Sequence, residues 1–585
     1  MQRTVRRGPC RRSALSMLRV LFPVLLMILF AVPSQADSST ADRPPMVAAA
    51  HPLAAEAGMT VLAAGGSAVD AAIAVQAMLT LVEPQSSGIG GGAFMLHFDA
   101  ATGRVDAYDG RETAPMAATG DLFLGADGTP LGFFEAVVGG RSVGAPGVLR
   151  MLELAHADHG NLPWSQLFQP AIERAAQGFR VTPRLHYLLA RDPFLRKQAV
   201  AGAYFYPAGL PLPVGFLRTN PDLARTLRVI AANGAEALYS GDIARAIVDT
   251  VAGHADNPGL LTMEDLAAYP AKRRTSLCTA FRTYRVCGMP PPTSGGVAVA
   301  QILGVLANLP NDPADPLSPA FVHRVTEAER LAYADRALYL ADTDFVDVPV
   351  ADLVRDGYLR RRAGLIDPRQ SMGEAVAGDP KGHGWNFRVG RDLKQPSTTH
   401  FVIADAAGNV VSMTSSVENA FGSRLMVGGF LLNNQLTDFS FRPVDDDGRP
   451  VANAVQPGKR PRSSMSPTIV LNADGSFRAA VGSPGGSRII GFVAKTLVAM
   501  LDGGLDVQTA IALPHYVNRN GPTELEQGAA LDDLARALEA RGHDIRVRGL
   551  NSGLHGIERV TQAGKAIWRG GADPRREGVV LTLPR

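Results

Sequence analysis

The sequence predicts a layered α/β (α+β) fold in which helices cover β-sheets. The chain has 585 residues, 46% hydrophobic and 19% charged, which is typical of one large or several smaller folded domains. Hydrophobic periodicity indicates helices and strands in both halves, without the strict β–α alternation of a parallel sheet. Only three cysteines are present, which excludes a disulfide-dense scaffold and a metal module built on cysteine.

The segment 1–36 has the pattern of an export signal. Six arginines and no acidic residue precede or enter the apolar run 20–32, and the small residues Ser34 and Ala36 follow it, so we predict cleavage after Ala36. The run is shorter than the roughly 20 apolar residues that span a bilayer, which argues against a stable membrane anchor. Removing the segment leaves 549 residues and changes the formal net charge from +3 to −3. We therefore expect a periplasmic or secreted protein without a nucleic-acid partner.

Two helices are predicted at the start of the mature chain. The first covers 51–64 and ends at a pair of glycines, and the second covers 68–82. Ser67 precedes the second helix and Asp70 follows three residues later, which is the pattern of a capping box. Because 68–82 is apolar on nearly every face, we expect this helix to be buried.

A glycine-rich loop at 88–92 precedes a predicted strand over 93–98. Phosphate-binding glycine loops open a helix, whose N-terminal amides bind the anion, and this loop opens a strand. We therefore interpret the glycines as positions of close backbone packing rather than as a nucleotide site. The sequence does not indicate a serine hydrolase either, because residues 481–485 lack the first glycine of the Gly-x-Ser-x-Gly motif.

Residues 135–375 are predicted to be mainly helical. Within them, His156, Asp158 and His159 resemble metal ligands, but they fall at a predicted helix end before Gly160. Histidines suit the negative end of a helix dipole, and the sequence offers no apparent third ligand. We therefore predict no metal site here.

The two cysteines of the mature chain, Cys278 and Cys287, admit two interpretations. If Arg282 and Thr283 form a two-residue hairpin turn, the cysteines face each other at a non-hydrogen-bonded position, where side chains approach closely. An exported protein would then form a disulfide. Because Arg-Thr is an uncommon pair for such a turn, two separate buried thiols are the alternative.

From about residue 395 onward, short strands predominate and helices then resume. Apolar and alternating segments predict strands at 399–404, 410–417, 429–433, 468–471 and 477–481. Helical periodicity predicts helices at 490–501, 507–513 and 531–541.

Polar motifs lie between these strands, and by composition alone they are ordinary turns. They are PSTTHF at 396–401, NNQLTDFS at 433–440, RPRSSMSP at 460–467 and GSPGGS at 482–487. Further motifs are HPLA at 51–54, EPQSSGIGGG at 83–92, GRETAP at 110–115, PPPTSGG at 290–296 and DPR at 573–575. With these motifs in this order, the sequence resembles the γ-glutamyltransferase (γ-glutamyltranspeptidase) family of N-terminal-nucleophile hydrolases.

The resemblance implies a four-layer αββα sandwich that is made as one precursor and cuts itself between Ser397 and Thr398. The large subunit would be 37–397 and the small subunit 398–585, and both would contribute to one intertwined catalytic domain. A threonine hydroxyl is a weak nucleophile that needs a base, and the freed α-amine of Thr398 can serve. Its ordinary pKa of about 8 suits proton transfer near neutral pH.

The resemblance also implies a reaction without a cofactor or a metal. Thr398 would attack a γ-glutamyl amide such as glutathione and pass the acyl group to water, an amino acid or a peptide. Gly485 and Gly486 match the glycine pair whose backbone N–H groups stabilise the oxyanion. Ser416 matches a second hydroxyl residue beside the nucleophile.

The resemblance further implies that the enzyme recognises both charged groups on the α-carbon of the glutamyl unit. Arg111 matches the residue that binds the α-carboxylate, for which a guanidinium fork is well shaped, and Ser463 and Ser464 match its hydroxyl partners. The positions that bind the α-ammonium are matched by Glu418, Gln435 and Asp438. Glu418 departs from family members that carry asparagine there.

Two alternatives use the same fold. One is a related amidase, a glutaryl-type β-lactam acylase or a poly-γ-glutamate hydrolase, and the other is a non-catalytic binding protein. A glutaryl group lacks the α-ammonium that the acidic residues would bind.

The acidic segment 442–450 stands where some relatives carry an aromatic lid, so we expect an open, acidic rim.

Overall fold

The core of the fold is a pair of antiparallel sheets between layers of helices. The computed structural model describes residues 44–310, 315–382, 385, 387–389, 397–562 and 565–583. All of these lie in one compact unit, Thr40–Arg585. The predicted signal, 1–36, is outside the described residues. Among the described residues, no helix has the length and apolarity needed to cross a membrane.

The strands are β1 (Met46–Ala49), β2 (Gly92–Asp99), β3 (Arg104–Gly110), β4 (Phe179–Arg180), β5 (Leu217–Arg218), β6 (Lys272–Thr275), β7 (Leu277–Phe281), β8 (Tyr284–Gly288), β9 (Thr399–Ala404), β10 (Val410–Ser416), β11 (Met426–Val427), β12 (Phe430–Leu431), β13 (Thr468–Leu471), β14 (Phe477–Gly482), β15 (Tyr516–Asn518), β16 (Thr523–Glu526), β17 (Ile545–Arg548), β18 (His555–Gln562), β19 (Lys565–Ala572) and β20 (Val579–Thr582). The helices are α1 (Pro52–Ala63), α2 (Ala68–Val82), α3 (Phe133–Val137), α4 (Val148–His159), α5 (Trp164–Leu167), α6 (Gln169–Gln177), α7 (Pro183–Arg191), α8 (Ala199–Phe205), α9 (Pro221–Asn233), α10 (Glu236–Tyr239), α11 (Gly241–Ala252), α12 (Met263–Ala267), α13 (Gly295–Ala307), α14 (Pro319–Tyr339), α15 (Val350–Leu353), α16 (Asp356–Ala363), α17 (Ile489–Leu501), α18 (Val507–Ala512) and α19 (Asp532–Glu539).

The two central sheets combine strands from both ends of the chain. The order is β20-β1-β9-β10-β2-β3-β6 in the seven-stranded sheet and β19-β18-β14-β13-β8-β7 in the six-stranded sheet. Strands before and after residue 398 are therefore neighbours in both sheets. The division into subunits at that residue stays a prediction.

Alternating side chains of β2 show how the layers are built. Ala93 and Met95 pack in the core cluster that contains α1 and α2, whereas Phe94 and Leu96 pack in the cluster that contains the second sheet with α13, α14 and α17. Successive residues of a strand point to opposite faces, so both faces of this sheet are buried. This arrangement is the predicted αββα sandwich.

The predictions for the first two helices are confirmed. Ser67 Oγ accepts a hydrogen bond from the backbone N–H of Asp70 at 3.1 Å, and the Asp70 carboxylate accepts from the N–H of Ser67 at 2.9 Å. All fifteen residues of α2 are buried. The later predicted elements also form, with ends that differ from the prediction by at most two residues, except that the strand predicted at 429–433 shortens to β12.

The glycine loop before β2 packs closely, as predicted. A Cβ atom on Gly90 would lie 2.2 Å from the carbonyl oxygen of Leu431, and one on Gly91 would lie 2.1 Å from that of Ser416. No larger residue fits without moving the backbone. The loop therefore holds the end of β10 in place.

The hairpin of β7 and β8 pairs Cys278 with Cys287, and the two residues form a disulfide. Arg282 occupies the turn with a φ of +54°, which lets an Arg-Thr pair close a two-residue loop. The disulfide interpretation is therefore confirmed over the separate thiols.

Residues 135–375 are mainly helical, as predicted, and they also contain the short strands β4 to β8. One expectation for this part of the chain is corrected. His159 does have potential co-ligands, since β2 and β3 bring His97 and Asp106 to it with ligand atoms within 4.8 Å of one another. The rings of His97 and His159 stack with centroids 3.8 Å apart, so their nitrogen lone pairs lie in nearly parallel planes and do not converge.

Candidate active site

Thr398 lies directly before the central strand β9, beside the end of its neighbour β10. Its hydroxyl is 3.0 Å from the hydroxyl of Ser416, and both side chains are buried. Ser416 Oγ also accepts a hydrogen bond from the backbone N–H of Glu418 at 2.9 Å. A hydroxyl that contacts the Thr398 oxygen can orient it and exchange a proton with it.

The backbone at Thr398 is strained. Its φ is +125°, in a region that a β-branched residue rarely adopts. The preceding hydroxyl, on Ser397, donates to the carbonyl of Gln85 at 2.5 Å, which fixes the chain on the other side of the same peptide bond. Residues in such conformations cost on the order of 1–3 kcal/mol and concentrate at functional sites.

A half-buried arginine near the end of the chain also holds Thr398. The guanidinium of Arg576 donates to the Thr398 carbonyl at 3.0 Å and, through Nε, to Asn551 at 2.7 Å. Burial, with the nearby charge of Arg184, lowers the pKa of Arg576 to about 9. Sequence reasoning missed this residue, although it directly follows the DPR motif.

The Gly485–Gly486 pair connects β14 to the N-terminus of α17. The φ values are +139° and +60°, which favour glycine, and a Cβ on Gly485 would meet the Phe492 ring at 2.8 Å. Pro484 and Arg576 lie against the same face of Gly553, so this turn is close to the arginine that contacts Thr398. The N-terminal end of a helix favours negative charge, which suits a developing oxyanion.

Three of the predicted substrate-binding residues lie in direct contact. The guanidinium of Arg111 forms a buried ion pair with Asp438, and the amide of Gln435 donates to the same carboxylate at 3.0 Å. Arg111 Nε also donates to the carbonyl of Pro461 at 3.0 Å. A cation and an anion side by side can bind a group that carries both charges, such as an amino-acid head group.

Glu418 reaches this cluster through Asn434. The Asn434 amide donates to the Glu418 carboxylate at 2.6 Å, and Asn434 directly precedes Gln435. Glu418 also has a positive φ, +80°, and its N–H bonds Ser416. The chain thus links the Thr398–Ser416 contact to the acidic side of the site.

The Ser463–Ser464 pair lies against a further buried arginine. Arg336 donates to Ser464 Oγ at 2.9 Å and to Ser294 Oγ at 2.8 Å. The carbonyl of Ser463 accepts from both the N–H and the hydroxyl of Ser294, at 2.9 and 2.6 Å. The PPPTSGG motif therefore holds the serine pair in place through Ser294.

Glu112, next to Arg111, is a second residue that sequence reasoning missed. Its carboxyl group is fully buried, and neither oxygen makes a hydrogen bond within the described residues. Burial raises its pKa from 4.5 to about 8, although the Arg111 charge 3.7 Å away opposes the shift. The folded protein therefore keeps this carboxyl protonated near neutral pH.

We expect Glu112→Gln to flatten the pH dependence of stability. Between pH 4.5 and 8 the unfolded chain releases the Glu112 proton and the folded chain keeps it, so the wild-type free energy of unfolding falls as the pH rises. Below pH 4.5 both states keep the proton and this contribution is fully present. One pKa unit corresponds to about 1.4 kcal/mol. Thermal unfolding of both proteins from pH 4 to 9 measures the difference, with the exposed Glu56→Gln as a control; parallel curves would contradict the expectation.

The layered sheets, with a buried threonine opening a central strand, define the class as an N-terminal-nucleophile hydrolase. The chain belongs to the gamma-glutamyltranspeptidase family, whose model matches residues 54–583. It is accordingly an enzyme of the hydrolase and transferase type. The resemblance noted from the motifs is thereby confirmed.

Three similar proteins illustrate the range of the family. A glutathione hydrolase proenzyme of Bacillus subtilis is 36% identical over 552 residues, covering 92% of this chain and 91% of that protein. An acylase ACY 1 proenzyme of a Pseudomonas strain is also 36% identical, over 93% of this chain and 96% of that protein. The crystal structure of a cephalosporin acylase from Bacillus halodurans superimposes with a TM-score of 0.80 at 29% identity, covering 92% of this chain and 96% of that one.

Proposed function

We propose that this enzyme cuts its own chain before Thr398 and then hydrolyses or transfers the γ-glutamyl group of compounds such as glutathione. The observation that carries the proposal is the ion pair of Arg111 with Asp438, extended by Gln435. An α-amino acid head group carries one carboxylate and one ammonium, so it complements both members of this pair. Many of the similar proteins, including the one from B. subtilis, are named glutathione hydrolases.

In self-cleavage, the Thr398 hydroxyl attacks the Ser397 carbonyl carbon and its proton passes to a base. The C–N bond breaks, the amine of Thr398 takes up a proton, and water hydrolyses the resulting ester. The contact with Ser416 and the strained φ of Thr398 support this step, because cleavage frees the strained residue on one side.

In turnover, Thr398 Oγ1 attacks the γ-carbonyl of the substrate while the freed α-amine accepts its proton. The N–H groups of Gly485 and Gly486 stabilise the oxyanion, and each such donor contributes about 3 kcal/mol in comparable sites. The amine half leaves with the proton, and water or an acceptor amine attacks the ester. The reaction regenerates Thr398 and requires no cofactor.

The remaining assignments follow from the same proposal. Residues 37–397 and 398–585 form the two subunits of the mature enzyme, and the export signal directs it to the periplasm or the medium.

The 442–450 loop closes on itself through hydrogen bonds between Asp445 and Arg449 at 2.8 and 2.9 Å, and ion pairs link its other charged residues. We propose that this loop leaves the site open.

A pair of chromogenic substrates tests the proposed specificity. We expect kcat/KM for γ-glutamyl-4-nitroanilide to exceed that for glutaryl-4-nitroanilide by roughly 10- to 100-fold, because a hydrogen bond to a charged group contributes about 1.5–3 kcal/mol. Acetyl-4-nitroanilide, which carries neither charged group, measures the background.

Equal rates on the two charged anilides would favour the acylase alternative, which the similarity to named acylases supports. If the enzyme hydrolyses neither the γ-glutamyl nor the glutaryl anilide, the result would contradict both the proposed γ-glutamyl hydrolase and the acylase alternative.

A further inference from the structure

An arginine-rich pocket lies beside the Gly485–Gly486 turn, outside the residues assigned to the γ-glutamyl group. Its volume is about 350 Å³. Ser487, the residue after the glycine pair, lines the pocket, and the hydroxyl of Tyr333, another lining residue, donates to the Ser487 carbonyl. The pocket therefore adjoins the turn at which the scissile carbonyl would react.

Four arginines and one carboxylate line this pocket. The arginines are Arg336, Arg519, Arg546 and Arg548, and the carboxylate is Glu524.

The single carboxylate is already committed to another arginine. Arg488 binds both oxygens of Glu524, at 2.5 and 2.8 Å. Arg519 and Arg548 add contacts to the same carboxylate at 3.3 and 3.1 Å. Arg546 forms an ion pair with Asp544 at 3.7 Å. Two carboxylates therefore face four arginines, Arg488, Arg519, Arg546 and Arg548, and the pocket has a surplus of positive charge.

The position of Arg519 shows the consequence of this surplus. Its guanidinium donates to Ser487 Oγ at 2.8 Å, and burial together with the Arg488 charge lowers its pKa. A bound anion would relieve that repulsion. Arg546 and Arg548 stand at the rim on β17, more than half exposed, where an incoming ligand meets them first.

The pocket also adjoins the residues that bind the acyl half of the substrate. Arg336 lines it and donates to Ser464 Oγ at 2.9 Å. The charges of the γ-glutamyl head group are already matched by Arg111 and Asp438. A second cationic site beside the serine pair and the Gly485–Gly486 turn therefore serves a different anion.

We propose that this pocket binds the carboxylate of the amine half of the substrate, on the peptide or amino acid that leaves or accepts the acyl group. The inference rests on the proposed function, because it names the half of the substrate that lies beyond the scissile bond. Guanidinium groups bind carboxylates through paired hydrogen bonds, and the partly exposed Arg519, Arg546 and Arg548 suit the carboxylates of peptides of different length.

The test compares two leaving groups that differ by one carboxylate. The substrates are γ-glutamyl-3-carboxy-4-nitroanilide and γ-glutamyl-4-nitroanilide, and the variant is Arg546→Gln/Arg548→Gln. We expect the ratio of their kcat/KM values, carboxylated over plain, to fall about tenfold in the variant, and raising the salt concentration to lower the wild-type ratio.

The matched control is Arg225→Gln/Arg228→Gln, which removes two exposed charges from α9 and should leave the ratio unchanged. An unchanged ratio in the rim variant, with a normal thermal midpoint, would overturn the inference. Calorimetric titration of the wild-type protein gives a second measurement, in which glycylglycine should bind more tightly than glycylglycinamide. If neither anilide is hydrolysed, the proposed function fails, and this titration still decides the pocket, since equal affinities would exclude it.

Discussion

A Thr398→Ala variant is expected to remain one chain and to lose activity by a factor on the order of 10⁶, as removal of the nucleophile does in a serine protease. Thr398 would supply the oxygen for both self-cleavage and turnover, and alanine has no such atom. A denaturing gel and N-terminal sequencing measure the first effect: the wild-type protein should give two chains, one of which begins at Thr398. Anilide hydrolysis measures the second effect.

Two further variants separate chemistry from packing. Thr398→Ser keeps the hydroxyl, so we expect slower but complete cleavage. Thr399→Ala removes the neighbouring hydroxyl, which makes no hydrogen bond within the described residues, and should cleave normally. A wild-type protein that stays intact, or a Thr398→Ala variant that is cut at the same bond, would contradict Thr398 as the nucleophile.

An Asp438→Asn variant is expected to lose about 10²-fold in kcat/KM for γ-glutamyl-4-nitroanilide. The substitution removes the buried charge proposed to face the α-ammonium, and breaking one such hydrogen-bonded charge pair costs about 2–5 kcal/mol. Glutaryl-4-nitroanilide has no ammonium, so its kcat/KM should change much less and the preference between the two substrates should largely disappear.

Because Asp438 also pairs with Arg111, the variant needs a test of folding. Complete self-cleavage and an unchanged thermal midpoint would show that the site is intact. Gln435→Leu removes an amide partner of Asp438 without a change of charge and should cost about tenfold. Asp447→Asn, in the exposed 442–450 loop, is the charge control. Equal losses of kcat/KM on both anilides would show that Asp438 does not bind the α-ammonium group.

Local sequence patterns predicted the elements that depend on neighbouring residues. The capping box of Ser67 and Asp70 requires two residues three positions apart, and the pairing of Cys278 with Cys287 requires one turn of known length. The glycine loop at 88–92 was likewise identified by its position before a strand. Short edge strands such as β4 and β5 were missed, because two residues carry no measurable period.

The motif resemblance predicted the site residues but not their partners. Arg576 and Thr398 are far apart in the chain and are joined only when the C-terminal strands return to the first sheet. In the sequence, Glu112 is an ordinary acidic residue beside an arginine. In the folded protein, burial raises its pKa to about 8. His97 reaches His159 because β2 packs beside α4.

The sequence by itself determined the class of this protein: the order of its motifs, the hydroxyl residue before a strand and the glycine pair before a helix. Tertiary structure alone decided which charges meet. Asp438 lies against Arg111, and Glu524 is shared among Arg488, Arg519 and Arg548, through contacts between segments that are distant in the chain. The physical reason is that periodicity and capping are local properties, whereas the electrostatics of a buried site depend on which sheets and helices exclude water around it.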